Sequence, residues 1–284
     1  MTDNRQPKVF IGLPVYNEGR FIDETLNSLR ALNYPNVEIF ISDNASTDDS
    51  LKICKTHAAA DPRIRLHCFE TNMGAAVNVD HVLAASDGDY FMLGSAHDLW
   101  SENLISRCIE ELESHPDAAL TYAATKWIDP DGEEFDRESG AYDTRGMGSI
   151  GRFFSAFWGN MHPVMGVIRS KYIKEIPRVQ SCVGTDLLVL TELALKGDFL
   201  YVPDAVWSRR ETRGGETFKQ KMARYKSKEF LLVSTYYSRF FPFLQLPWEL
   251  LRIVLRANIN LAEKTALLLA LLPCFVARYV EGGR

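Results

Sequence analysis

"KVFIGLPVYNEGRFIDETLNSLRALNYPNVEIFISD", residues 8–43, holds the pattern that decides the fold. The apolar run KVFIGLPV reads as a strand closed by Pro14. RFIDETLNSLRAL then places Phe21, Thr25, Leu26, Leu29 and Leu32 on one face of a helix. VEIFISD is a second strand. A strand, a helix and a strand in this succession predict a βαβ unit with parallel strands.

The alternation continues. STDDSLKICKTHAAA is a second helix, with Ser46 or Thr47 as its cap, and RIRLHCF a third strand. GAAVNVDHVLAAS is a third helix and YFML a fourth strand. The expectation is a parallel sheet covered on both faces. Such sheets bind ligands at the carboxyl ends of their strands. Those ends carry Pro14-Val15-Tyr16-Asn17, Asp43-Asn44 and Ser95–Asp98, so three polar loops should meet on one rim. After the first strand there is only Gly12, with neither GxGxxG nor GxxxxGK[ST], which excludes a glycine-rich phosphate cradle.

The later chain has a different texture. AALTYAATKWIDPDGE suggests a strand, a second short strand and an Asp-Gly turn. Residues 134–151 are Gly- and Asp-rich and read as a mobile loop, and SIGRFFSAFW as a short helix. PVMGVIRSKYIKEI reads as a strand entering a helix. TDLLVLTELALKGDFLYVPDAVWSRRETRGGE reads as helix, Gly turn, strand and a loop bearing Arg209 and Arg210.

Charge divides the chain of 284 residues unevenly. From Ala205 onward there are 14 Lys and Arg against 6 Asp and Glu, leaving 18 against 31 in residues 1–204. An acidic body with a basic tail suggests a partner that only the tail touches, such as an anionic membrane face. The simpler reading is a solvated basic helix. The longest uncharged apolar run in the tail, Ala266–Ala277, is too short to span a bilayer and contains Pro273. Residues 216–284 are therefore expected to form helices that lie on a membrane, pack on the core or meet a second copy. An acidic core argues against a nucleic-acid partner. The five cysteines are scattered without a CxxC, as befits reduced thiols, and the start lacks a signal-peptide region. A cytoplasmic location is expected, at the inner face of the membrane if the tail attaches there.

VFIGLPVYNEGRFIDETLNSL, VEIFISDNASTDDS and AHDLWSENLI, followed by TDLLVLTELALKGDFLYVPDAVWSRR, together resemble a family-2 glycosyltransferase with the GT-A fold. The resemblance runs from about Lys8 to Arg210. It implies a mixed, mainly parallel α/β sheet flanked by helices. A nucleotide half would reach residue 100, an acceptor half residue 215, and a helical extension would follow. It also implies an inverting transfer of single sugars from a nucleotide-diphosphate sugar to a saccharide or lipid-linked acceptor, in surface glycan synthesis. The QxxRW signature of processive synthases is missing. A catalytically impaired nucleotide-sugar-binding or assembly protein is the alternative, since His97 and Thr212 stand where the family usually has other residues.

Roles follow residue by residue. Tyr16 offers a ring face to a nucleobase, and Asp43 an acceptor for a pyrimidine N–H or a ribose hydroxyl. Pro14, Val15 and Glu18 share that loop in the resemblance. Read without the family, Asp43 is an Asx turn or a cap. Asp98 matches the aspartate that holds Mg2+ or Mn2+, and His97 stands beside it in a normally acidic position. One carboxylate suffices where phosphates and water complete a Mg2+ shell, and imidazole would favour Mn2+. The competing role for Asp98 is a cap for SENLISRCIEELES, to which Ser101 is also suited. Asp186, opening DLLVLTELALKG, matches the general base, although a carboxylate at a helix N-terminus is also stabilised by the dipole. Arg209 and Arg210 would clamp phosphate or pair with surface carboxylates. His57, His67, His81, His115 and His162 show no ligand spacing.

Overall fold

A computed structural model describes residues 5–176, 184–212, 214, 220 and 242–281. The βαβ expectation holds from the first element. Strand β1 (Val9–Val15) leads into α1 (Ile22–Arg30) and β2 (Val37–Asp43), then α2 (Ser50–Ala60), β3 (Ile64–Cys68), α3 (Ala75–Ala85) and β4 (Tyr90–Leu93). β1 pairs in parallel with β2 and β4, and β2 with β3. Strands β1 and β2 are buried almost throughout, as a sheet covered on both faces requires. The buried face of α1 is Ile22, Thr25, Leu26 and Leu29, close to the expected stripe. Gly12 serves packing: a Cβ there would stand 2.9 Å from Val82 Cβ on α3.

Past β4 come β5 (Leu99–Trp100), α4 (Leu104–Ser114), β6 (Ala118–Ile128) and β7 (Glu134–Phe135), then α5 (Ser149–Trp158), β8 (Val167–Arg169) and α6 (Ser170–Ile173). Helix α7 (Thr185–Ala194) and β9 (Asp198–Arg210) follow. The sheet runs β3-β2-β1-β4-β8-β6-β9-β5, with β7 on β6, and is antiparallel at β4–β8, β6–β8 and β5–β9. This is the mixed, mainly parallel α/β architecture expected.

Several local readings need correction. AALTYAATKWI is one eleven-residue strand, because β9 pairs with it along its whole length. The stretch read as a mobile loop contains β7 and the start of α5, and Tyr142 N–H donates to Tyr122 Oη at 2.6 Å. Arg209 and Arg210 end strand β9 instead of lying in a loop. Ser46 and Thr47 do not cap α2, which starts at Ser50, and neither Asp98 nor Ser101 caps α4, whose N-cap is Asn103.

The C-terminal helices α8 (Pro242–Arg256) and α9 (Leu261–Val276) close the described chain. Leu250, Ile253, Val254, Leu267 and Leu271 share an apolar cluster with Phe153 and Phe157 of α5 and Leu187 and Leu188 of α7. At least this part of the tail packs on the core. The basic stretch expected from residue 216 to 241 lies, apart from Gln220, outside the described residues. Among the described residues no helix is long and apolar enough to cross a membrane.

Candidate active site

The strand order 3-2-1-4 opens a crevice where connections leave β1 in opposite directions, at the carboxyl ends of β1, β2 and β4. Two of the three expected loops are laced together there. Asn17 N–H donates to Ser46 Oγ at 3.0 Å, and Asn17 Oδ1 accepts from Thr47 N–H at 2.8 Å. Glu18 N–H donates to Ser50 Oγ at 2.8 Å, and Gly19 N–H to Asp48 Oδ2 at 2.9 Å. Asn17 (φ 53°) and Ala45 (φ 58°) both take the left-handed backbone conformation. For an alanine this costs on the order of 1–3 kcal/mol and persists only where surrounding bonds impose it. These four hydrogen bonds are such an imposition. Ser46 and Thr47, read as helix caps, spend their polar groups here.

Asp43, at the end of β2, has no exposed surface. Its Oδ2 accepts from Ser46 N–H at 3.1 Å, which realises the local-turn reading. Among the described residues its Oδ1 has no hydrogen-bond partner. Tyr16, half-buried, follows β1 directly, after half-buried Pro14 and buried Val15.

The tip after β4 differs from expectation. Asp98 is 3% exposed. Its Oδ1 accepts from Arg210 N–H at 2.8 Å and its Oδ2 from Trp207 Nε1–H at 3.1 Å. Burial raises its pKa; the charge on His97, those two donors and Arg209 oppose the rise. A metal ligand needs an oxygen facing an accessible space, and Asp98 points both of its oxygens into β9. Asp98 therefore does not fit the expected role of metal ligand. Its neighbours Ser95 and Ala96 supply no carboxylate, and His97 Nδ1 lies 3.1 Å from Glu18 Oε1. Among the described residues no group of three or more His, Cys, Asp or Glu is placed to hold a metal ion.

Arg210 also departs from expectation. Its side chain is 1% exposed. Nε donates to His97 O, one terminal nitrogen to Asp129 O and Pro130 O, and the other to Glu24 Oε2 at 2.5 Å. With its donors directed at protein groups, it cannot bind the diphosphate and instead ties the tip to α1 and the turn after β6. Strand alternation sends Arg209 to the other face. There its guanidinium lies 4.6 Å from the Trp127 ring centroid and 5.7 Å from that of Trp207, with no carboxylate partner among the described residues. Arg137 covers the same Trp127 ring at 4.0 Å and pairs with Glu211 at 2.8 Å.

Asp186 opens α7 after Gly184, whose φ of 96° suits glycine. Solvent reaches the carboxylate, yet protein surrounds it closely enough that desolvation raises its pKa, against the pull of Arg209. His162 packs its ring edge-on against Trp127 and Trp207. Burial, reinforced by Arg209 and Arg137, pushes its pKa down to about 4 and leaves a neutral imidazole near pH 7. Arg209 thus acts electrostatically on Asp98, Asp186 and His162 alike, which gathers the tip and the acceptor side around one cation.

The model of the family described as glycosyl transferase family 2 matches residues 10–175. The chain belongs to glycosyl transferase family 2. It is 28% identical over 145 residues to the putative teichuronic acid biosynthesis glycosyltransferase TuaG of Bacillus subtilis, covering 49% of this chain and 57% of that protein. In a further curated relative the match covers 41% of the length, so the chain spans about half of the curated relatives it matches. S. aureus TarS 1-349 in complex with UDP-GlcNAc superposes with a TM-score of 0.68 at 17% identity, covering 95% of this chain and 73% of that one. The mannosyltransferase PcManGT from Pyrobaculum calidifontis, in complex with GDP-Man and Mn2+, gives 0.57 at 18% identity, covering 97% and 82%. These likenesses confirm the GT-A fold.

Trp127, Trp207 and His162 were not singled out from sequence. Once VWSRR is read as strand, period-two alternation would have placed Trp207 and Arg209 on one face and Arg210 on the other.

Proposed function

We propose that this member of glycosyl transferase family 2 transfers single sugars, with inversion, from a nucleotide-diphosphate sugar to a saccharide or lipid-linked acceptor in surface glycan synthesis. The neighbouring enzymes solved with UDP-GlcNAc and GDP-Man support a donor of this class, and the TuaG relationship supports the glycan setting. The observation that carries the reading is the strand-end rim itself, where Tyr16 and Glu18 follow β1, Asp43 ends β2 and His97, 3.1 Å from Glu18, follows β4.

In this reading residues 1–100 receive the nucleotide, with Tyr16 against the base, and residues 101–215 receive the acceptor. Asp186 takes the acceptor hydroxyl proton as that oxygen attacks the anomeric carbon. The leaving diphosphate departs from the opposite face, so one displacement inverts the centre. Glu18 and His97 line the donor side as a hydrogen-bonded pair. The Mn2+ of PcManGT raises the expectation of a cation. Asp98 does not supply its ligand, and no step is assigned to it. Residues 216–284 are assigned an attachment role at the cytoplasmic membrane face or between copies. Exposed Trp248, Leu255, Leu261, Leu269 and Leu272 on α8, α9 and their junction support it.

The test is a thermal-shift screen of nucleoside diphosphates and their sugars, since a ligand of the native state raises the melting temperature. Stabilisation by one nucleotide class, lost in Asp43→Ala, is expected. A chain that no nucleotide stabilises would end the proposal.

A further inference from the structure

We propose that this chain holds the donor's diphosphate on a fixed side-chain cation, Arg209, in place of a divalent cation carried by an acidic tip. The inference rests on the donor class proposed above and concerns how its charge is met.

Two negative charges must be balanced when a nucleoside diphosphate leaves, and they can be met by a metal ion or by protein cations. A metal ion needs anionic or imidazole ligands that reach it. At this tip Asp98 is buried with both oxygens accepting hydrogen bonds from β9, Ser95 and Ala96 supply no acid, and His97, whose Nδ1 lies beside Glu18, is left as a single imidazole. The side chains that remain do not make a divalent-cation cage.

Arg209 has what the tip lacks. It is half-buried, and among the described residues no carboxylate forms a close ion pair with it, although its charge acts on Asp98 and Asp186. Its guanidinium carbon lies 4.6 Å from the Trp127 and 5.7 Å from the Trp207 ring centroid, and a guanidinium held against aromatic rings keeps N–H donors at its edge for an anion. That edge matches two oxygens of a phosphate in a bidentate fork. Its location is defined from both sides. The Trp207 ring beneath it donates through Nε1 to Asp98 at the tip, and its charge is felt by Asp186. A leaving group lies across the anomeric carbon from the attacking hydroxyl, which is the interval between these two carboxylates. The other cation of the pair, Arg210, is fully engaged elsewhere.

The test is titration calorimetry of UDP and GDP into the full chain, in EDTA and in excess Mn2+, for the unaltered protein, Arg209→Gln and Arg209→Lys. The preferred diphosphate should bind in EDTA within about threefold of its affinity in Mn2+, and Arg209→Gln should weaken it roughly tenfold or more. Arg209→Lys should recover part of the loss, and the parent nucleoside should bind all three proteins alike, which reports a folded base site. Affinity that appears only with Mn2+, or an Arg209→Gln protein that binds the diphosphate normally, overturns the inference while leaving the donor class intact. If neither nucleotide binds under either condition, the donor class itself fails and the inference with it.

Discussion

Trp207 Nε1–H and Asp98 Oδ2 meet at 3.1 Å across 109 residues of chain, and the neighbouring Arg210 N–H takes the other oxygen at 2.8 Å. The aspartate of the tip thereby fastens the end of β9 to the loop after β4. Asp98→Ala leaves two buried donors unpaired, and each costs about 1–3 kcal/mol. Denaturant unfolding should show a loss of roughly 2–5 kcal/mol, and Asp98→Asn, which keeps one acceptor, should lose less. An unchanged midpoint in Asp98→Ala would remove the fastening role.

In the proposed mechanism Asp186 acts as a base only when deprotonated, and desolvation by the protein around it holds its pKa above the ordinary carboxylate range. The acid limb of kcat/KM should lie correspondingly higher in pH. Arg209 lowers that pKa, so Arg209→Gln should move the limb further up. Asp186→Asn should lower kcat by about 10²–10⁴ while leaving donor binding intact. A limb that stays in place when Arg209 is removed separates the two residues.

His162 titrates near 4 in the folded protein against 6.5 unfolded. Between those values the unfolded chain binds the extra proton, so stability rises with pH across this window and is lost as pH falls through it. The span corresponds to about 3 kcal/mol as an order of magnitude. In His162→Gln this part of the pH dependence should flatten, as read from unfolding midpoints between pH 4 and 7. An identical pH profile in the variant counts against the assignment.

Leu250 on α8 is fully buried against α5 and α7. Leu250→Ala should cost about 2–5 kcal/mol if the C-terminal helices and the α5–α7 layer unfold as one unit. A second, separate unfolding transition in the parent protein would show that they do not.

Much of the first hundred residues was legible beforehand because the signals there are local. Apolar runs separated by helix-period segments specify βαβ units, and the strand ends specify where a ligand sits. The same reasoning misjudged elements whose state depends on a distant partner. AALTYAATKWI reads as two strands until β9 lies along it, and VWSRR reads as loop until it becomes the end of that partner strand. Ser46 and Thr47 resemble caps by spacing, yet Asn17, some thirty residues earlier, takes them into the rim.

The sequence by itself determined the βαβ alternation and the strand-end rim on which Tyr16, Glu18, Asp43 and His97 stand, since each follows from neighbours a few positions apart, and its motifs carried the resemblance to the family and its GT-A fold. Only the tertiary structure decided what Asp98, Arg209 and Arg210 do. A carboxylate and a guanidinium look equally available in a string of letters. Which of them has spent its hydrogen-bonding capacity inside the protein depends on groups brought together from over a hundred residues away.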